Sequence, residues 1–176
     1  MTKGVPELSL KAFTEGDADA RRAFSEDLMR GLQAYGFIVL KDHGVSQALL
    51  GRAYGLAETT FALDEAAKRR YAAGMRGYTP FGVEHAKDNG HPDLKEFWQI
   101  GHEASAGPDF PPNVWPDETP GFRPTFQALF AALNETGVTL LQALAPQLGL
   151  AEHHFDPLVR HGTSICLLYT SPSPRD

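Results

Sequence analysis

The chain has 176 residues, 42% of them hydrophobic, which is enough for one domain with a real core. A formal net charge of −6 and the lack of any Lys/Arg run argue against a nucleic-acid partner. No segment approaches 18 uninterrupted apolar residues and the opening MTKGVPELSL lacks a signal-peptide core, so the expectation is a soluble cytoplasmic protein with no membrane partner. A single cysteine, Cys166, excludes an intrachain disulfide framework and a thiolate-rich metal site.

Leu8 and Leu10 alternate with Glu7, Ser9 and Lys11, a short half-buried strand pattern. From about Asp17 a helix follows, with Phe24, Leu28, Leu32 and Tyr35 on one face. Gly36 is placed to close it. Phe37 to Leu40 is an unbroken apolar run, expected to be a strand buried on both faces. Lys41 to Gly44 turns the chain, and Ser46 is the predicted N-cap of a second helix reaching Phe61. Asp64 is expected to cap a short third helix, in which Glu65 stands i, i+4 to Arg69.

Between Gly74 and Pro92 the density of Gly and Pro speaks against a helix, and Arg76 to Gly82 is expected to be a flexible loop. Its Tyr78 and Phe81 are candidates either to cover the edge of the core or to bind a ligand. Asp93 to Gly101 reads as a strand with Leu94, Glu96, Trp98 and Ile100 on one face. A carboxylate on an apolar side needs partners, so Glu96 is expected in a hydrogen-bonded structural role, with substrate binding or catalysis as the alternative. After a Pro-rich connection, a long core helix carries an apolar stripe from Phe122 to Leu148, with Pro146 and Gly149 ending it. A last turn near Glu152 to Leu158 leads to Ile165, and no internal repeat is present. These elements make an α+β fold, mainly helical.

Several short motifs agree in order. They are Gly36-Phe37 before the apolar run and His43-Gly44, Phe61-Ala62-Leu63-Asp64 before Lys68, Asp93-Leu94-Lys95-Glu96, and Asn113-Val114-Trp115-Pro116. Together they resemble the isopenicillin N synthase-like family of non-haem Fe(II), 2-oxoglutarate-dependent oxygenases, including the bacterial ethylene/succinate-forming enzymes. The resemblance implies the N-terminal part of a double-stranded β-helix, or jelly roll, whose barrel core lies beyond this chain. It implies Fe(II) held by H-x-D and a distant His, and 2-oxoglutarate held by Arg-x-Ser, all on that barrel. On this reading no catalytic residue and no metal ligand falls within the 176 residues. The chain is then inactive alone and contributes scaffold and one wall of a small-molecule substrate pocket, with Tyr78, Phe81 and Glu84 as the candidate substrate-binding residues and Arg76 as a weaker one.

The residues offer a rival constellation, His91-Pro92-Asp93 with His153, His154 and His161 downstream, which has the composition of a two-His, one-carboxylate iron site. A Gly/Pro-rich loop is a poor platform for ligands, and the resemblance aligns His91 to Glu96 with a non-ligand segment. His43, in a turn between strand and helix, is expected to cap or hydrogen-bond. No nucleophile elbow, phosphate-cradling Gly loop or CxxC occurs, and His102-Glu103 lacks the second His of H-E-x-x-H.

The last eleven residues, CLLYTSPSPRD, show no hydrophobic period and end in Ser/Pro. They resemble the conceptual translation of a transposase-type sequencing-library adapter. The expected organisation is therefore a dioxygenase N-terminal domain over 1–165 and a foreign, disordered tail over 166–176, in a monomer. The alternative is a self-contained, non-catalytic helical module that binds a small molecule or a protein in an apolar groove.

Overall fold

The computed structural model describes residues 4–84, 92–103, 111–160 and 162–170. It divides into two compact units, the first built from 1–45 and 132–160, the second from 46–131 and 161–176.

In the first unit, strand β1 (Glu7–Ser9) pairs in parallel with β2 (Val39–Lys41), Leu8 opposite Leu40. Between them run a single turn, α1 (Lys11–Thr14), and the long helix α2 (Ala18–Tyr35). Asp17 caps α2 by accepting from the Ala20 amide, and Gly36 ends it at φ 78°, where the left-handed backbone lets its own amide reach the Leu32 carbonyl. The core is Leu8, Leu10, Phe13, Phe24, Leu28 and Ala143, with Leu32, Ile38 and Leu40 partly buried around it. Gly31 is required by this packing: a Cβ there would stand 2.6 Å from Ile38 Cγ2 and 2.8 Å from Pro6 Cγ. The apolar run is not buried on both faces as expected. In a two-stranded sheet Phe37 stays 57% exposed and Val39 is exposed too, because only alternate residues meet the helix.

In the second unit, Ser46 caps α3 (Gln47–Phe61) through the Leu49 amide, and Asp64 caps α4 (Glu65–Arg69) through the Ala67 amide. An antiparallel sheet follows in the order β3 (Ala72–Ala73), β4 (Arg76–Thr79), β5 (Glu96–Gly101) and β6 (Ile165–Thr170). Trp98 is fully buried among Tyr71, Tyr78 and Phe122, and its indole N–H donates to the Val114 carbonyl at 3.2 Å. Phe122 stacks on Phe126 at 4.3 Å, which seats the start of α5 (Phe122–Leu144) in this core. From Ala132 onward α5 belongs to the first unit, and a 3-10 turn, Ala145–Leu148, carries it to Gly149 at φ 74°. A short α6 (Asp156–Arg160) closes the helical part.

By length and composition alone, Phe122–Leu148 would suffice to cross a membrane, its most apolar 18-residue window having a mean hydropathy of 1.3. Core helices share that property; Phe122, Phe126 and Leu129 are buried in protein, while 17% of the apolar window as a whole is buried.

Two sequence expectations are corrected here. Arg76 to Thr79 is a buried strand, not a flexible loop: Gly77, at φ 77°, lets the hairpin close tightly against the Tyr71 carbonyl, where a Cβ would collide. The expected disorder of the tail fails for Cys166 to Thr170, which pair with β5 in full antiparallel register, Trp98 opposite Leu168. An open strand edge bonds through backbone alone, and the run Ile-Cys-Leu-Leu-Tyr-Thr has strong strand propensity. Residues 171–176 lie outside the described residues.

Candidate functional site

The chemistry-bearing side chains of the second unit gather on β4, β5 and α4. Glu96, on β5, is 5% exposed. Its Oε2 accepts from Lys68 Nζ at 2.7 Å and from the Tyr78 hydroxyl at 2.6 Å, and its Oε1 accepts from Thr170 at 3.4 Å. Lys68 also donates to the Phe61 carbonyl at 3.0 Å and lies 5.5 Å from the centre of the Tyr78 ring. Tyr78 reaches Glu65 as well, at 3.3 Å. Burial, reinforced by the hydrogen bond to Glu96, pushes the Tyr78 phenol far above its usual range. The carboxylate is thus fully partnered, and its expected structural role holds.

Tyr78 is therefore corrected as a pocket residue. It is 1% exposed, sits on the Trp98 side of the sheet, and its hydroxyl is engaged twice within the protein. Phe81 and Glu84 follow β4 and are both exposed. Lys95 binds Asp93 at 3.1 Å and Glu84 at 3.4 Å, and lies over the Phe97 ring at 5.5 Å. The hydrogen bond from Lys95 to Asp93, more than any other contact, raises the Lys95 pKa. Backbone bonds hold the same turn, Asp93 N to the Glu84 carbonyl at 2.7 Å. Phe81 and Glu84 are thus neighbours of a braced turn.

A shallow cavity of about 410 Å³ lies elsewhere in this unit, lined by Glu103, Pro112, Asn113, Trp115 and Arg123. Arg123 pairs with Glu103 at 3.3 Å and lies 5.7 Å from the centre of the Trp115 ring, so its charge is already committed. Asn113 is engaged by the backbone, its amide bonding both the N–H and the carbonyl of Gly101 at 2.8 Å.

The described residues do not fit an iron ion. Among them no group of three His, Cys, Asp or Glu side chains comes together in metal-ligating distance. His43 Nδ1 accepts from the Val45 amide at 3.2 Å, the capping role expected of it. His153 pairs with Asp156 at 2.9 Å, and Asp93 faces Lys95. His91 and His161 lie outside the described residues.

The partner set of Glu96 is what sequence reasoning misses. Lys68 stands 28 residues away and on a helix, and no local pattern couples the two. The one available signal is the need of a buried carboxylate for a cation.

The family described as "non-haem dioxygenase in morphine synthesis N-terminal" matches residues 5–118. The chain is 26% identical to the 2-oxoglutarate-Fe(II) type oxidoreductase ppzD of Metarhizium majus, covering 96% of this chain and 56% of that protein. It is 30% identical to the 2-oxoglutarate-dependent dioxygenase frbA of a Dothideomycetidae species, over 83% of this chain and 48% of that one. A 2OG-Fe(II) oxygenase family protein from Caulobacter crescentus superposes with a TM-score of 0.82 at 35% identity, over 99% of this chain and 59% of that one. A full-length Neurospora crassa protein, solved in complex with alpha-KG, gives 0.82 at 26% identity, over 96% and 55%. The chain spans about half the length of the curated relatives it matches.

Proposed function

The chain belongs to the non-haem dioxygenase N-terminal family, and from that premise we propose that it is the N-terminal portion of an Fe(II)- and 2-oxoglutarate-dependent oxygenase of the isopenicillin N synthase-like or ethylene/succinate-forming type. The observation that carries this reading is the family match together with the half-length coverage of full oxygenases. The relatives named as 2-oxoglutarate-dependent enzymes, and the solved complex with alpha-KG, support the cofactor pair.

The substrate is a small molecule. Phe81 and Glu84 form part of the pocket wall, since the sequence after β4 leaves them exposed on a turn braced by Lys95. On this reading the iron ligands and the barrel lie outside this chain. The protein is a cytoplasmic monomer, and residues 166–176 are not part of its native sequence.

The experiment is iron-dependent succinate release from 2-oxoglutarate, measured on this chain and on the longer protein encoded by the surrounding genomic DNA. The longer protein is expected to release succinate and this chain to release none above the metal-free control. Activity in the 176-residue chain would overturn the placement of the iron site, and a stop codon at the end of the natural frame would overturn the reading as a whole.

A further inference from the structure

Arg76 is the anomaly of the second unit. Six other arginines, Arg21, Arg22, Arg30, Arg69, Arg70 and Arg123, each pair with a carboxylate although all are far more exposed. Arg76 is 2% exposed, and its acceptor among the described residues is one backbone carbonyl, that of Met75, at 3.1 Å from Nη1. Burial pulls its pKa below the ordinary guanidinium range. A buried cation without an anion is among the costliest arrangements a fold can hold.

The position of the guanidinium is built into the backbone. It lies on Gly101, where a Cβ would fall inside the group, overlapping Nη2, Cζ and Nε. Gly101 is itself fixed by the two Asn113 bonds. By strand alternation, a side chain at 101 would point to the same side as Phe97 and Gln99, opposite Trp98 and Glu96.

The remaining donors of Arg76 are not sealed in. No buried side-chain nitrogen or oxygen among the described residues lacks a partner, yet Nε and Nη2 have no protein acceptor there. These two nitrogens therefore keep a trace of exposed surface, although the residue as a whole is 2% exposed. A guanidinium resting on a rigid floor, with Nε and Nη2 unpartnered by protein, carries the donor pair that takes a carboxylate bidentately.

We infer that Arg76 is an anion-recognition residue, its Nε/Nη2 edge receiving a carboxylate of a small-molecule ligand over the floor made by Gly101. That this ligand is a reactant of an oxygenase rests on the function proposed above; the carboxylate recognition itself does not.

The test is a titration of the ¹⁵N-labelled chain with acetate at constant ionic strength, following the Arg76 Nε–Hε resonance assigned by through-bond experiments. Acetamide, the neutral isostere, serves as control. A saturable shift with acetate, with a response to acetamide at least tenfold smaller, is expected. No saturable shift, or equal shifts with both, overturns the inference. Gly101→Ala, which puts a methyl group where the guanidinium rests, is expected to abolish the acetate response, and an unaltered response there counts against the proposed floor.

Repeating the titration with 2-oxoglutarate separates the two sources of carboxylate. Saturation at tenfold lower concentration than acetate shows that more of 2-oxoglutarate than one carboxylate is recognised and overturns the placement of its site on the barrel alone, and equal affinity shows that only the carboxylate is read; both support carboxylate recognition. Succinate release by the longer protein is read independently, so failure of either idea leaves the other standing or falling on its own measurement.

Discussion

The two units bury their interiors by different means. In the first, the core of Leu8, Leu10, Phe13, Phe24, Leu28 and Ala143 carries no charge, and its ion pairs, such as Arg21 with Glu152, stay at the surface. In the second, an aromatic cluster around Trp98 shares the interior with Lys68, Glu96, Arg76 and Tyr78. An apolar core tolerates error in proportion to lost volume. A polar interior is all or nothing, since removing one partner strands the other. The second unit thus has more to lose from a single atom, which is the usual signature of a region whose geometry matters for more than stability.

The largest effect that would expose this difference is expected at Glu96. Replacing it with Ala leaves Lys68 buried without its carboxylate and is expected to destabilise by about 3–5 kcal/mol in urea unfolding. The double change Lys68→Met, Glu96→Leu should recover most of that loss, and a double variant as unstable as the single one would show that packing, not charge, dominates the site. In the first unit, Leu28→Ala is expected to cost about 3 kcal/mol, with no partner change able to restore it short of filling the cavity.

A smaller effect separates the units by pH. The Tyr78 phenol is raised by burial and by Glu96, so the folded chain keeps this proton where the unfolded chain gives it up. Its contribution is complete below about pH 10 and declines as pH rises above that value. Tyr78→Phe should therefore flatten the fall in stability measured between pH 9 and pH 11 (roughly the range around the free phenol pKa), whereas Leu28→Ala should leave the slope alone. The mildest change is Ser46→Ala, expected to cost about 1 kcal/mol through loss of the bond to the Leu49 amide, and a loss within error would mean water replaces the cap.

What could be read in advance divides along similar lines. Local signals are legible: Gly36 ends α2, Ser46 and Asp64 cap α3 and α4, and Glu65 pairs with Arg69 at 2.7 Å, because each depends on residues within one turn. The α1 turn is not, since four residues are too few to establish a period. Strand β4 is hidden by its own punctuation, the glycines and prolines around it marking a hairpin rather than a loop. Tyr78 reads as a pocket residue because an aromatic near Gly and Pro looks like a ligand contact; its true neighbours, Glu96 and Trp98, are supplied by sheet register. The same long-range pairing gives Cys166 to Thr170 a strand that their lack of a hydrophobic period does not announce.

Gly101 has a consequence that reaches past this one chain. Because the guanidinium occupies the volume of any side chain at 101, positions 76 and 101 cannot vary independently. Among related sequences, arginine at the first position is expected only alongside glycine at the second, and a larger residue at 101 should coincide with the loss of the arginine. A comparison of many homologues would read that coupling directly, as a covarying pair that no strand ladder places opposite one another.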